Sequence, residues 1–179
     1  MEMVLNLCEM RGSEESIDRI FAASEFASEL GDDYAVAEAV TLRLRLHKDG
    51  ANYRLAGTIE TLLRLECSRC VELFDVPVTV SVDLMYLPHR INTGDGVTEI
   101  TDEDLSTAFY RDEQIDLGLM IREQFQLSLS MKPLCRDTCR GLCPICGINL
   151  NSEGCSCGTS WQDPRLAPLA ALRSESGKG

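Results

Sequence analysis

Long apolar runs are missing from this sequence. No stretch approaches the roughly 20 consecutive apolar residues that a bilayer-crossing helix needs, so no membrane-spanning role is expected. The opening MEMVLNLCEMRGSEES has no basic leader region, and its apolar stretch is broken by Asn6 and Glu9. It does not read as a secretory signal, and the expected location is cytoplasmic. Basic charge is also scarce: 17 Lys and Arg stand against 29 Asp and Glu, a formal net charge of −12. Such a chain has little non-specific affinity for phosphate backbones or anionic lipid, and neither DNA nor a membrane is an expected partner. Two common phosphate-binding signatures are absent too, with no phosphate-cradling GxxxxGKS/T and no GxGxxG. The two histidines, His47 and His89, fall on the polar side of a strand pattern and in a loop, and Asp102-Glu103-Asp104 reads as a solvated turn. The chain is therefore read as a non-enzyme.

What it has in excess is cysteine. Six of the nine cysteines lie between Leu134 and Gly158: Cys135, Cys139, Cys143, Cys146, Cys155 and Cys157. In a reducing compartment such a cluster signals metal ligation more than disulfides. Its centre, Cys143-Pro144-Ile145-Cys146-Gly147, is a knuckle in which a tight turn aims two sulfurs at one ion and the glycine lets the backbone bend back beneath them. A tetrahedral zinc needs two more thiolates. Cys155 and Cys157 follow at hairpin distance, while Cys135 and Cys139 precede with a CxxxC spacing. The reading is zinc on four of these six, with Cys143, Cys146 and Cys157 favoured. The spacings match no common iron–sulfur run. A second thiol site, Cys67-Ser68-Arg69-Cys70, sits at the tip between two strand patterns. It is open to three readings: half a metal site completed by the C-terminal cysteines, a structural turn, or a redox pair. Redox CxxC pairs ordinarily join a strand to a helix. Cys8, alone near the N-terminus, reads as a small buried apolar residue.

Along the chain, residues 17–30 fit a short helix or an edge strand equally well. From Val40 the pattern clears: Val40, Leu42, Leu44 and Leu46 alternate with Thr41, Arg43, Arg45 and His47, the signature of a half-buried strand. A turn at Lys48-Asp49-Gly50 leads to a second strand over about 53–66, with Leu55, Ile59, Leu63 and Leu65 on one face. Leu62 breaks its alternation and marks a bulge or burial on both sides. A third strand over about 73–86 carries Val76, Val78, Val80, Val82 and Leu84, and Pro77 on its other face marks an edge or the start of pairing. Residues 87–104 read as a loop and 107–114 as a short returning strand. Asp116 caps a helix over 117–129 whose stripe of Leu117, Met120, Ile121, Phe125 and Leu129 docks on the sheet. Beyond the cysteines, Asp163-Pro164 opens a short helix before a frayed tail. The expected fold is α+β: an antiparallel β-meander body with a packed helix (1–130), a cysteine-rich zinc-binding appendage (131–160), and a helical tail (161–179).

Taken in order, several motifs accumulate. They are Leu65-Glu66-Cys67-Ser68-Arg69-Cys70 after a strand, Ile115-Asp116-Leu117 opening a helix with Arg122-Glu123, Met131-Lys132-Pro133-Leu134-Cys135, and Cys139 through Asn151. The set resembles the bacterial YceD family, the large ribosomal RNA subunit accumulation proteins, over roughly residues 35–160. The resemblance implies a cytosolic, non-enzymatic factor of ribosome biogenesis that supports accumulation of large-subunit (23S) rRNA. Its implied partner is that rRNA or a ribosomal assembly intermediate, contacted through residues such as Arg69, Lys132, Arg136 and Arg140. The acidity of the body also suits a basic ribosomal protein. Residues 1–117 sum to −14 and residues 118–179 to +2, so an RNA contact belongs in the C-terminal third. Two other readings remain at this level: a thiol redox protein using Cys67 and Cys70, and a structural zinc module that recruits a protein partner.

Overall fold

The computed structural model describes residues 3–10, 12–26, 34–89 and 106–158. Its body is the meander that the alternation implies. β1 (Val4–Asn6) precedes β2 (Glu14–Phe21), then come β3 (Tyr34–Val36), β4 (Val40–Asp49), β5 (Asn52–Glu66) and β6 (Leu73–Pro88). β4, β5 and β6 pair antiparallel in sequence order, and β2 pairs antiparallel with the outer edge of β4. β3 continues β4's place along β5, opposite Leu63 to Leu65. Of the ambiguous stretch 17–30, residues up to Phe21 belong to β2 and Ala23–Phe26 form a 3-10 turn, while 27–30 lie outside the described residues. Leu62 makes no bulge: the β5–β6 register runs unbroken from Tyr53 to Glu66, and half-buried Leu62 faces Pro77 across it. Pro77 is tolerated because, among the described residues, the one strand on β6's far side, β7 (Thr107–Tyr110), pairs with Met85 to Pro88 and leaves Pro77's missing N–H without a ladder partner to disappoint.

β7 departs from a pure meander. It runs parallel to β6, after which Asp112 and Glu113 turn with φ of 52° and 53° into β8 (Gln114–Asp116). The expected strand over 107–114 is thus two short strands, and β8 pairs with β1 in a small second sheet. The Tyr110 hydroxyl donates to the Ala51 carbonyl at 2.9 Å, and its ring meets Tyr53 edge-on at 5.4 Å, which ties β7 to the β4–β5 turn.

Helix α1 (Leu117–Ser128) begins where the sequence places it. Asp116 has extended backbone, and its carboxylate accepts from the Leu119 N–H at 2.9 Å. Leu117, Met120, Ile121 and Phe125 are buried, Leu129 packs beside them, and the Phe125 ring meets Phe26 and Tyr34. The inward residues of β4 and β5 (Val40, Leu42, Leu44, Leu46, Leu55, Ile59 and Leu63) complete this core. The outer face is polar and cross-linked: Arg54 clasps Asp83 with two hydrogen bonds of 2.6 and 2.7 Å, and Arg64 clasps Asp75 at 2.7 and 3.0 Å. Cys8 is exposed, contrary to its reading as a buried residue. It sits in a 3-10 turn where Asn6's side chain accepts its N–H, and Leu7 takes the inward position instead. The helix expected after Asp163 lies outside the described residues. Among the described residues no helix is long and apolar enough to cross a membrane.

Candidate metal centres

The β5–β6 loop turns at Cys67-Ser68-Arg69-Cys70 in a specific way. Val71 N–H donates to the Cys67 carbonyl at 2.9 Å, and Cys67 N–H donates to the Glu72 carbonyl at 2.9 Å. The segment around Cys143 repeats this at the same offsets: Gly147 N–H to the Cys143 carbonyl at 2.9 Å, and Cys143 N–H to the Ile148 carbonyl at 2.8 Å. The residue after each second cysteine takes a left-handed backbone, Val71 at φ 60° and Gly147 at φ 74°. The two CxxC turns are therefore the same knuckle. Only one was legible as such, because the other lacks the glycine that normally marks that conformation.

The cysteine segment lies against the first knuckle. Ser68 N–H donates to the Pro133 carbonyl at 2.9 Å, Leu142 N–H to the Arg69 carbonyl at 3.1 Å, and the Arg69 guanidinium to the Cys139 carbonyl at 2.9 Å. Gly141 makes the approach feasible: at φ 71°, a Cβ there would stand 2.9 Å from the Arg69 carbonyl oxygen. The docking assembles two tetrads. Cys67, Cys70, Cys135 and Cys139 form one, and Cys143, Cys146, Cys155 and Cys157 the other, with the sulfurs of each all within 4.8 Å of one another.

The geometry suits coordination and not disulfides. All eight are free cysteines, and bonded sulfurs would lie about 2.05 Å apart. A tetrahedron with metal–sulfur bonds of about 2.3 Å has sulfur–sulfur edges of about 3.8 Å. Cys67 and Cys139 stand at 3.8 Å and Cys70 and Cys135 at 3.7 Å, while Cys155 stands 3.4 Å from both Cys143 and Cys146. Either tetrad could hold a metal ion.

The electrostatics of each tetrad are those of a cluster short of positive charge. The Cys135 backbone N–H, with help from those of Arg69 and Cys70, pulls the Cys67 thiol down to about 6 against its burial. Burial, and then the neighbouring sulfurs of Cys139 and Cys70, push Cys135 up to about 12. In the second tetrad the N–H groups of Cys146 and Ile145 bring Cys143 down to about 6. The sulfurs of Cys155 and Cys146 drive Cys157 up to about 12. In each set some thiols ionise readily, Cys139 with its Asn151 partner among them, while others are resisted, because the added negative charge has no cation to face. A dication removes that resistance.

The six cysteines of the segment are thus not competitors for one ion. Cys143, Cys146, Cys155 and Cys157 come together, and the two left over, Cys135 and Cys139, join Cys67 and Cys70. A reading from the sequence also misses Asn151, whose amide donates to the Cys139 sulfur at 3.3 Å while its oxygen accepts the Arg140 N–H at 2.8 Å. The arithmetic of eight cysteines as two fours was a usable signal; Asn151 gave none. Arg69, Lys132, Arg136 and Arg140 are all exposed, with one guanidinium nitrogen of Arg69 engaged by the Cys139 carbonyl.

The model of one protein family, described as large ribosomal RNA subunit accumulation protein YceD, matches residues 55–173, which takes in both tetrads. The chain belongs to the YceD family. Among curated YceD relatives, a chloroplastic large ribosomal RNA subunit accumulation protein homolog of Arabidopsis thaliana is 26% identical over 80% of this chain and 51% of its own length. A second such homolog, from Zea mays, is 29% identical over 58% of this chain and 43% of its own. An uncharacterized protein of Mycobacterium tuberculosis is 34% identical over 73% of this chain and 60% of its own. The chain thus spans about half the length of the curated relatives it matches. No solved structure matches.

Proposed function

We propose that this protein is a cytoplasmic ribosome-biogenesis factor that supports accumulation of large-subunit (23S) rRNA, and that it acts by binding and not by catalysis. The observation that carries this reading is the YceD match over residues 55–173, which covers most of the described fold. Zinc held by Cys143, Cys146, Cys155 and Cys157 would stabilise the segment beyond α1, since a loop-rich segment of that size buries too little to fold unaided. Four thiolates with no open ligand position make a structural zinc site, not a catalytic one.

Charge favours a basic ribosomal protein as the direct contact. The chain carries −12 before any thiolate is counted, and a zinc bound by four thiolates brings a further net −2. Direct contact with rRNA is supported instead by the four exposed cations Arg69, Lys132, Arg136 and Arg140 around the docked segment. The redox reading of Cys67 and Cys70 has less support, because both sulfurs are buried among four and the turn joins two strands.

Depletion of the protein from its own cells tests the role. The ratio of mature large- to small-subunit rRNA is expected to fall and to recover with the wild-type chain; an unchanged ratio refutes the proposal. A titration of labelled large-subunit rRNA over a salt series then separates the contacts. Affinity that weakens steeply with salt supports direct RNA binding, and no affinity at low salt leaves the basic protein.

A further inference from the structure

We propose that Cys67, Cys70, Cys135 and Cys139 are a second zinc site, distinct from the one inside the cysteine segment, and that its ion is the clasp fastening that segment to the body. This second ion does not depend on the ribosomal role proposed above. It rests on where the ligands come from. Two are supplied by the β5–β6 loop and two by the start of the segment, so each of the close sulfur pairs, Cys67–Cys139 and Cys70–Cys135, joins the body to the appendage. The other tetrad is made wholly of residues 143–157 and can hold only the segment's own shape.

Little else crosses that junction. Among the described residues the hydrogen bonds that cross it include Ser68 to Pro133, Leu142 to Arg69, Arg69 to Cys139, and the Cys135 N–H to the Cys67 sulfur. The apolar contacts there form a small cluster of Cys67, Cys70 and Cys139 with Phe74, Leu134 and Cys135, in which Phe74 also packs against the main core. A handful of hydrogen bonds and a cluster built largely of cysteine do not offset the entropy of fixing a loop-rich segment against a sheet. A tetrathiolate ion does, because its four bonds exist only when both partners are in place. The chemistry selects zinc: four soft, deprotonated sulfurs, tetrahedral edges, and no vacant position. Asn151, from beyond the second knuckle, donates to the Cys139 sulfur and so orients one ligand of the clasp.

The two sites differ in access. Cys67, Cys70 and Cys139 are at most 3% exposed, whereas Cys146 is exposed and Cys155 and Cys157 are partly so. A chelator should therefore strip the 143–157 site first and the clasp second, in two kinetic phases.

The test is metal content, by mass spectrometry, of the full-length protein purified from zinc-supplemented cells. Two zinc ions per chain are expected in the wild type, one in Cys135→Ser, one in Cys155→Ser and none in the double variant. Cys135→His, which keeps a ligand, should retain two. Limited proteolysis supplies the second readout: Cys135→Ser should expose sites at 131–142 while leaving 143–157 protected, and Cys155→Ser should do the reverse. A single zinc per chain in the wild type overturns the second site. So does a Cys135→Ser variant that keeps both ions or the wild-type cleavage pattern. Should Cys135→Ser not fold, zinc content of the wild type decides alone, with two ions supporting the clasp and one overturning it. Loss of zinc in Cys155→Ser alone would leave the segment's own zinc standing without the clasp.

Discussion

Gly57→Ala is the substitution whose cost can be worked most directly from the geometry. Gly57 sits in the middle of β5, paired with Leu44 on β4 and Val82 on β6, at φ 156°. A Cβ added there would lie 2.1 Å from the Arg43 carbonyl oxygen, 2.8 Å from the Leu44 Cα and 3.0 Å from the Arg43 carbonyl carbon. All three are backbone atoms of the neighbouring strand, so no side chain can swing aside. Relief requires β4 and β5 to part by about 1 Å at their centre, which lengthens ladder hydrogen bonds and opens the packing of Leu44, Leu55 and Ile59. Overpacking against flexible neighbours costs about 1–3 kcal/mol, and against backbone the upper end or beyond is expected, about 3 kcal/mol or more. For a domain of this size that lowers Tm by about 6–12 °C. The assay is thermal and denaturant unfolding followed by circular dichroism. Zinc content measured in parallel should be unchanged, because Cys67 lies roughly 33 Å further along the strand at about 3.3 Å per residue. A loss below about 1 kcal/mol would refute the reasoning, since it would mean the strands separate without penalty.

Other outcomes follow from single contacts. Phe125→Ala should destabilise by about 3–5 kcal/mol in denaturant unfolding, because a fully buried ring packed on Phe26 and Tyr34 leaves a cavity beneath α1. Asn151→Ala should weaken metal binding at the Cys67, Cys70, Cys135 and Cys139 site by about tenfold in a competitive chelator titration, while Cys143, Cys146, Cys155 and Cys157 keep their affinity. The Arg64 guanidinium holds the Asp75 carboxyl below its ordinary value, and Arg54 does the same for Asp83. These carboxylates have a depressed folded pKa, so their stabilisation is present above about pH 4 and is lost as pH falls through the folded value. Stability measured over that acid range should fall less steeply in Asp75→Asn, and added salt should shrink the difference, since both pairs are exposed.

How far the sequence reached depended on whether a feature is written in neighbouring residues. Alternation over Val40–Leu46 and 73–86 and the spacing of Leu117, Met120, Ile121 and Phe125 are local patterns, and they placed two strands and one helix with little error. The Asp116 cap is equally local, a carboxylate three residues from the amide it accepts. Eight cysteines and the CPxCG knuckle announced thiolate chemistry by composition alone. The tertiary structure decided everything that joins distant residues. Spacing along the chain cannot say that Cys135 and Cys139 turn away from the adjacent knuckle, because their partners at Cys67 and Cys70 are delivered by a sheet formed some 65 residues earlier. Nor can it say that β7 returns parallel, a pairing set by how the connection closes on β6. Val71's left-handed backbone was hidden for the same reason: the turn is imposed by the strands it joins and the sulfur cluster it closes, against the preference of the residue itself. Local pattern fixed which elements form and what chemistry they carry; long-range packing fixed which sulfurs meet.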